Sequence, residues 1–383
     1  MISRAVAACD GPADHRDRDR PHPTGHSMST PAAPPTAPPI IPAAPPALTG
    51  RTRSWSVRAV ALLVLAVALV LAAVASVAFG ARGVTWADIV AGVSGSQETL
   101  AEAAVAQRVP RTVLAAVVGA ALGVSGALLQ GISRNPLADP GIFGINNGAA
   151  LFVVIGMSFF GMTSPYAYIW VALLGAAVTA VFVYLVGSLG RGGATPLKLA
   201  LAGAATSIAL SSLVSAVILP RVEVMDSFRF WQIGGVGGAA FDTIARVAPF
   251  LLVGFLLALI SARGLDSLAL GDEMARGLGV KVERTRIIAG VGAVLLCGGA
   301  TAVAGPIAFI GLVVPHLCRM VYGPDHRWLL PLSAVTGAVL LTISDVVGRV
   351  IARPEELEVG IVTALVGAPF FIVVVRRMKV RAL

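Results

Sequence analysis

Asp345 and Arg349 stand four residues apart inside a run that is otherwise apolar. On a helix that spacing sets a carboxylate beside a guanidinium, so the two can neutralise each other. An ionisable residue inside an apolar span is a functional candidate by default; here mutual satisfaction explains the pair equally well. His316 and Cys318 share a short run and could ligate a metal or haem. A polar group satisfied inside a helix bundle is the simpler reading, and no metal site is assigned. Gln130, Asn135 and Pro136 belong to an abrupt break, QGISRNPLADP over 130–140. Two prolines four apart stop a helix, and the polar groups would be costly in lipid. The segment must be buried in protein, line a water-filled cavity or lie at the membrane surface; an ordinary interhelical turn remains open.

A fourth group is denser. Asp266, Asp272, Glu273, Arg276, Lys281, Glu283 and Arg284 crowd between Arg263 and Arg286. Apolar runs flank the stretch on both sides, so it must sit in water. Leu268, Leu270, Met274 and Leu278 recur at helical spacings, while Gly271 and Gly279 punctuate two short helical pieces. Gly271, Ala275 and Gly279 are spaced by four, which predicts a smooth face that a partner protein could approach.

Catalysis needs more than these groups supply. There is no GxxxxGK[ST] phosphate loop, no paired-aspartate motif and no cluster of acids or histidines. Gly235, Gly237 and Ala240 mimic a dinucleotide fingerprint, but no strand precedes them.

Composition explains why the groups are so few. The chain has 383 residues, of which 56% are hydrophobic and 13% charged, and its mean hydropathy is +0.85. Soluble domains carry roughly 25% charged residues. No soluble fold could bury this much apolar surface, so the class is an all-α polytopic membrane protein. The net charge of +9 is spread through loops, which fits a positive-inside membrane protein better than a nucleic-acid partner. Gly119, Gly123 and Gly126 mark a face on which helices can approach closely. Cys9, Cys297 and Cys318 form no metal-like pair.

About ten spans of roughly 20 residues are expected. They lie near 59–80, 112–131, 197–219, 243–262, 286–304, 307–322, 329–350 and 360–375, with two more in the uncharged stretch 141–190, broken near Gly161–Pro165. A polar stretch over 81–107 and a short helical piece near 226–238 complete the described chain. Residues 1–50 are Pro- and Ala-rich with no apolar face, and read as a disordered tail. Met28 is an alternative start. With both termini inside, the inner loops hold about twice as many Lys and Arg as the outer segments, which favours N-in, C-in and puts 263–286 in the cytoplasm.

Several long stretches together resemble the FecCD family, the permease subunits of ABC importers for iron–siderophore, haem and cobalamin. They are Arg108-Val-Pro-Arg111, GALLQGISRNPLADPGIFGINNGAA at 126–150, LGDEMARGLGV at 270–280, AGPIAFIGLVVPHLCRMVYGPDHRWLLP at 304–331 and ELEVGIVTALVGAPFF at 356–371. The resemblance covers nearly everything after residue 55 and leaves out the tail.

The resemblance implies a ten-helix bundle like that of cobalamin permeases. It implies a dimer around a central pathway, formed with a second copy or a related permease. It further implies two ATP-binding subunits below, a substrate-binding protein above, no cofactor, and a place in the cytoplasmic membrane. The 263–286 segment would form the coupling helices, with Leu270, Gly271, Asp272, Glu273, Ala275, Leu278 and Gly279 against the ATPase. Arg108, Arg111 and Arg349 would offer positive charge to the binding protein, or else be satisfied locally. Gln130, Asn135 and Pro136 would shape the inner end of the pathway. FRFWQIGG at 228–235 and Glu356-Leu-Glu358-Val-Gly360 resemble siderophore permeases more than haem ones. Ala194-Thr-Pro-Leu197 departs from the polar gate turn of cobalamin permeases, so gate residues are not carried over. An ion-coupled secondary carrier and an integral membrane enzyme on lipid-linked substrates are the competing classes. The first would want a midplane carboxylate and the second clustered acids, and neither is evident.

Overall fold

The computed structural model describes residues 54–377 apart from 142 and 191–194. The tail over 1–50, the alternative start at Met28 and Ala194 of the gate turn lie outside the described residues. Among the described residues every regular element is a helix: α1 Trp55–Ala78, α2 Trp86–Val93, α3 Leu100–Ser133, α4 Ile145–Phe160, α5 Pro165–Ser188, α6 Pro196–Ile218, α7 Val222–Ile233, α8 Phe241–Leu268, α9 Asp272–Gly277, α10 Val282–Ala304, α11 Ile310–Tyr322, α12 His326–Ile351 and α13 Val359–Arg377.

Seven of these, α1, α3, α5, α6, α8, α10 and α12, are long and apolar enough to cross a membrane, and α4, α11 and α13 are shorter apolar helices. Together they occupy the places of the ten expected spans. The break between α4 and α5 falls at Gly161–Ser164. α7 takes the place of the short piece near 226–238 and begins four residues earlier.

Two expectations are corrected. The polar stretch 81–107 holds helix, and the second span, expected from about 112, begins at Leu100. α2 forms because Thr85 and Asp88 close a capping box, and α3 starts at Leu100, capped by the Thr99 side chain on the Glu102 N–H. Polar caps over a helix start read as a loop in sequence. The 263–286 stretch also holds one short helix rather than two, because α8 continues to Leu268 and α10 begins at Val282.

α3 is the central helix. In its most apolar stretch 78% of residues are buried, against 11% for α1 and 11% for α6. Its glycines make this possible. A Cβ on Gly119 would land on the Gly337 carbonyl of α12, and one on Gly126 would land on the Gly311 carbonyl of α11. Close backbone approach of this kind drives association where no hydrophobic force separates helix from lipid.

Candidate functional site

One end of the bundle carries α9. Gly271 (φ 105°) precedes the helix and Gly279 (φ 79°) follows it, so neither extends a helical face, and the expected smooth row is corrected. Ala275 is fully buried and points into the protein. The outward side instead carries Met274 (59% exposed), with Leu270 (63%) in the turn before the helix and Leu278 (61%) at its C-cap, three apolar side chains left to the surface. Glu273 and Arg276 are exposed beside them. An open depression of about 400 Å³ lies next to them, lined by Arg276, Gly279, Val280, Lys281, Val282 and Glu283.

Acids tie this end together. Both Asp272 carboxylate oxygens accept from Arg286 Nη2 at 3.0 Å, and Asp272 Oδ1 lies 3.3 Å from Arg134 Nη2 at the end of α3. Asp266 Oδ1 pairs with His326 Nδ1 at 2.7 Å and accepts the His326 N–H at 2.8 Å. Asp325 accepts from Arg58 of α1 at 3.1 Å.

The break after α3 is a built turn. Arg134 ends the helix in the left-handed region (φ 49°). Asn135 Oδ1 accepts the Leu137 N–H at 3.0 Å, while its carbonyl accepts the Ala138 N–H at 3.1 Å; an Asx turn of this form competes well with helix. Asp139 Oδ2 accepts the Gly141 N–H at 2.9 Å. Burial pushes the Asp139 carboxyl up to about 6, although that N–H pulls the other way. Gln130 is buried one turn before the break and serves α11. Pro315 lacks the N–H that would bond the Gly311 carbonyl four residues back. Gln130 Nε2 supplies it, donating to Gly311 O at 3.3 Å and Leu312 O at 3.2 Å, and Gln130 Oε1 accepts from Arg319 Nη1 at 3.0 Å.

The opposite end holds the three arginines expected to face outward, and the structure turns them inward. Arg349 is 1% exposed. It meets Asp345 at 2.9 Å and donates to the Ser76 carbonyl at 3.0 Å, the Phe79 carbonyl at 3.1 Å and Ser76 Oγ at 2.7 Å. Arg108 donates to the carbonyls of Val77 (3.0 Å), Ala78 (3.2 Å) and Arg82 (2.7 Å). Apart from Arg82, these carbonyls lie at the end of α1, where no helical N–H reaches them and where the helix dipole is negative. Arg111 bridges the fully buried Asp345 (2.9 Å) and Glu356 (2.6 Å). The pairing of Arg349 with Asp345 is as expected; Arg108 does not meet Glu102, which bonds Ser96 Oγ at 2.5 Å instead.

Sequence reading missed a polar groove on α6. Asn147, Ser207, Ile208, Ser211, Ser212 and Ser215 line an open groove of about 370 Å³. Ser207, Ser211 and Ser215 repeat every four residues, a legible signal in an otherwise apolar helix. The ties of Arg134 to Asp272 and of Ser76 to Arg349 join distant stretches, and no local pattern announces them.

The model of the FecCD transport family matches residues 66–377 of the chain. The chain is 41% identical over 303 residues to "Probable siderophore transport system permease protein YfiZ" of Bacillus subtilis (strain 168), covering 79% of this chain and 91% of the relative. It is 40% identical over 321 residues to the ferric enterobactin transport system permease protein FepD of Escherichia coli (strain K12), covering 84% and 96%. Among solved structures, "An inward-facing conformation of a putative metal-chelate type ABC transporter" superposes with a TM-score of 0.72 at 32% identity, covering 84% of this chain and all of that one.

Proposed function

The chain belongs to the FecCD transport family, a family of transport permease subunits embedded in the cytoplasmic membrane, and from that premise we propose that it is the permease of an ATP-driven importer for a ferric siderophore complex. The observation that carries the reading is the exposed apolar patch of Met274 on α9 with Leu270 just before the helix and Leu278 just after it. A short helix at the end of the bundle, flanked by Arg276, Lys281 and Arg284, gains nothing from lipid and exposes apolar surface to water. Such a patch marks a protein interface, and in this reading the ATP-binding subunit covers it on the cytoplasmic side. The groove of α6 supports a transport pathway. The Ser212 and Ser215 hydroxyls are satisfied by carbonyls one turn back, and the open shape of the groove they line suits a water-filled passage between two permease copies. A binding protein then delivers the substrate at the other end. Large chelates are selected mainly by that protein, so the permease wall needs hydroxyls rather than a tight site. Two relatives whose names state siderophore or ferric enterobactin transport support the substrate class.

The deciding experiment is uptake into proteoliposomes holding the permease with its ATP-binding subunit and binding protein. Labelled ferric siderophore should enter only with ATP, and a protonophore should not stop it. Entry of haem or cobalamin in its place would refute the substrate, and entry driven by an ion gradient without ATP would refute the transporter class.

A further inference from the structure

The α9 end and the α6 groove are joined by polar ties at both ends of the 134–141 chain segment, and the first tie is a shared carboxylate. Asp272, the first residue of α9, is held by Arg286 at 3.0 Å and by Arg134 at 3.3 Å. Arg286 is 3% exposed at its side chain, so one side of the clamp is fixed in the protein at the start of α10. Arg134 is 34% exposed and is the residue that ends α3. From Arg134 the chain runs straight into the break, whose Asx turn at Asn135 and prolines at 136 and 140 leave few backbone torsions to absorb a displacement. The far end of the break is tied to the groove, because Ser207 Oγ donates to the Gly141 carbonyl at 3.1 Å. One turn into α4, Asn147 Nδ2 donates to the Ser207 carbonyl at 3.1 Å. Ser207 and Asn147 both line the groove.

We propose that Arg134 is a positioning residue: through its ion pair with Asp272 it carries movement of α9 along the 134–141 break to the Ser207 wall of the groove. This rests on the reading of α9 as the ATPase platform. Exposed ion pairs on their own stabilise little. The pair here needs only to hold two elements in register, and an element coupled at both ends transmits a shift between two arrangements.

Arg134→Gln tests the relay, since Arg134 lies outside the exposed face of α9. In proteoliposomes the variant should keep its ATP-binding subunit on co-purification, while substrate moved per ATP hydrolysed falls about five- to tenfold, in the usual range of coupling between sites. Arg134→Lys, which keeps the charge, should recover most of the loss. Asp272→Asn combined with Arg134→Gln should be no worse than Asp272→Asn alone. A spin label at Ser211 should lose its ATP-dependent distance change in Arg134→Gln and regain it in Arg134→Lys. The relay is overturned if Arg134→Gln stays within twofold of the parent, if the two substitutions multiply, or if Arg134→Gln releases the ATP-binding subunit. Failure of the platform reading looks different: Leu270→Ala with Met274→Ala would then leave co-purification of that subunit unchanged.

Discussion

Arg108 and Arg349 sit where a membrane protein is expected to have few arginines, and the carbonyls at the end of α1 account for them. A helix end inside a bundle leaves carbonyls without partners, and two guanidinium groups fill that need with four hydrogen bonds to Ser76, Val77, Ala78 and the capping Phe79. Removing one should therefore cost stability. Arg349→Ala leaves Asp345 with only Arg111 and strips two carbonyls, so it should destabilise the permease by roughly 3 kcal/mol, as for other broken buried pairs. A thermal unfolding series in detergent would read this, with the exposed Arg353→Ala as the neutral comparison; an unchanged midpoint for Arg349→Ala would reject the assignment. Asp139 makes a pH-dependent counterpart. Its carboxyl is raised from 3.8 to about 6 in the folded protein, so folding favours the protonated form. Its effect on stability is most favourable below pH 4 and is lost as pH rises through about 6. Asp139→Asn should then raise the unfolding free energy above pH 6, by an amount on the order of 1–3 kcal/mol, and lose that gain near pH 4. A gain independent of pH would show that the carboxyl is not buried in the charged form.

At the scale of elements, the long apolar helices were legible because apolar runs near the width of a membrane have few other fates. The glycine face of α3 was legible too, since Gly119 and Gly126 recur at helix spacing and meet Gly337 and Gly311. The first turns of α3 were not, because Thr99 and Glu102 look like loop residues and act as a cap, Thr99 Oγ1 accepting the Glu102 N–H and the Glu102 carboxylate accepting the Glu98 N–H. Ala275 was misplaced for a related reason. Spacing alone cannot say which side of a six-residue helix faces inward, and small residues suit a buried side as well as a docking side. Ala275→Trp would therefore disrupt packing under α9 rather than block a partner. Docking is better probed from the outside. Leu270→Asp or Met274→Asp should weaken co-purification of the ATP-binding subunit at least tenfold while the permease unfolds at its usual temperature, because apolar anchors dominate such interfaces. Retention of the subunit by both variants would remove α9 from the interface. The ties made by Arg134, Asp272 and Ser76 had no local signature, since each joins residues far apart in the chain.

The groove on α6 concerns the whole assembly, because an open polar wall on one chain needs something opposite it. Ser211→Cys in a background with Cys9→Ser should react with a water-soluble thiol reagent in membranes, and binding of a second permease should slow the reaction. Cys297 and Cys318 are buried and should stay unmodified under the same conditions. Protection of Ser211→Cys by lipid in every state, with no reaction at all, would exclude a water-filled passage there.

The bond from Gln130 to the Gly311 and Leu312 carbonyls bears on how the chain is made. α11 spans 13 residues and carries Pro315 in its middle, so alone in hydrocarbon it would hold a carbonyl with no donor, at a cost of several kcal/mol. Its donor belongs to α3, which leaves the ribosome some 180 residues earlier. Biogenesis should therefore follow an order, with α11 entering the bilayer against a partner already there. In a glycosylation-mapping assay α11 should insert poorly when presented alone and well behind α3, and Gln130→Leu should take away most of that help. Full insertion of α11 by itself would show that the translocon, and not α3, receives it.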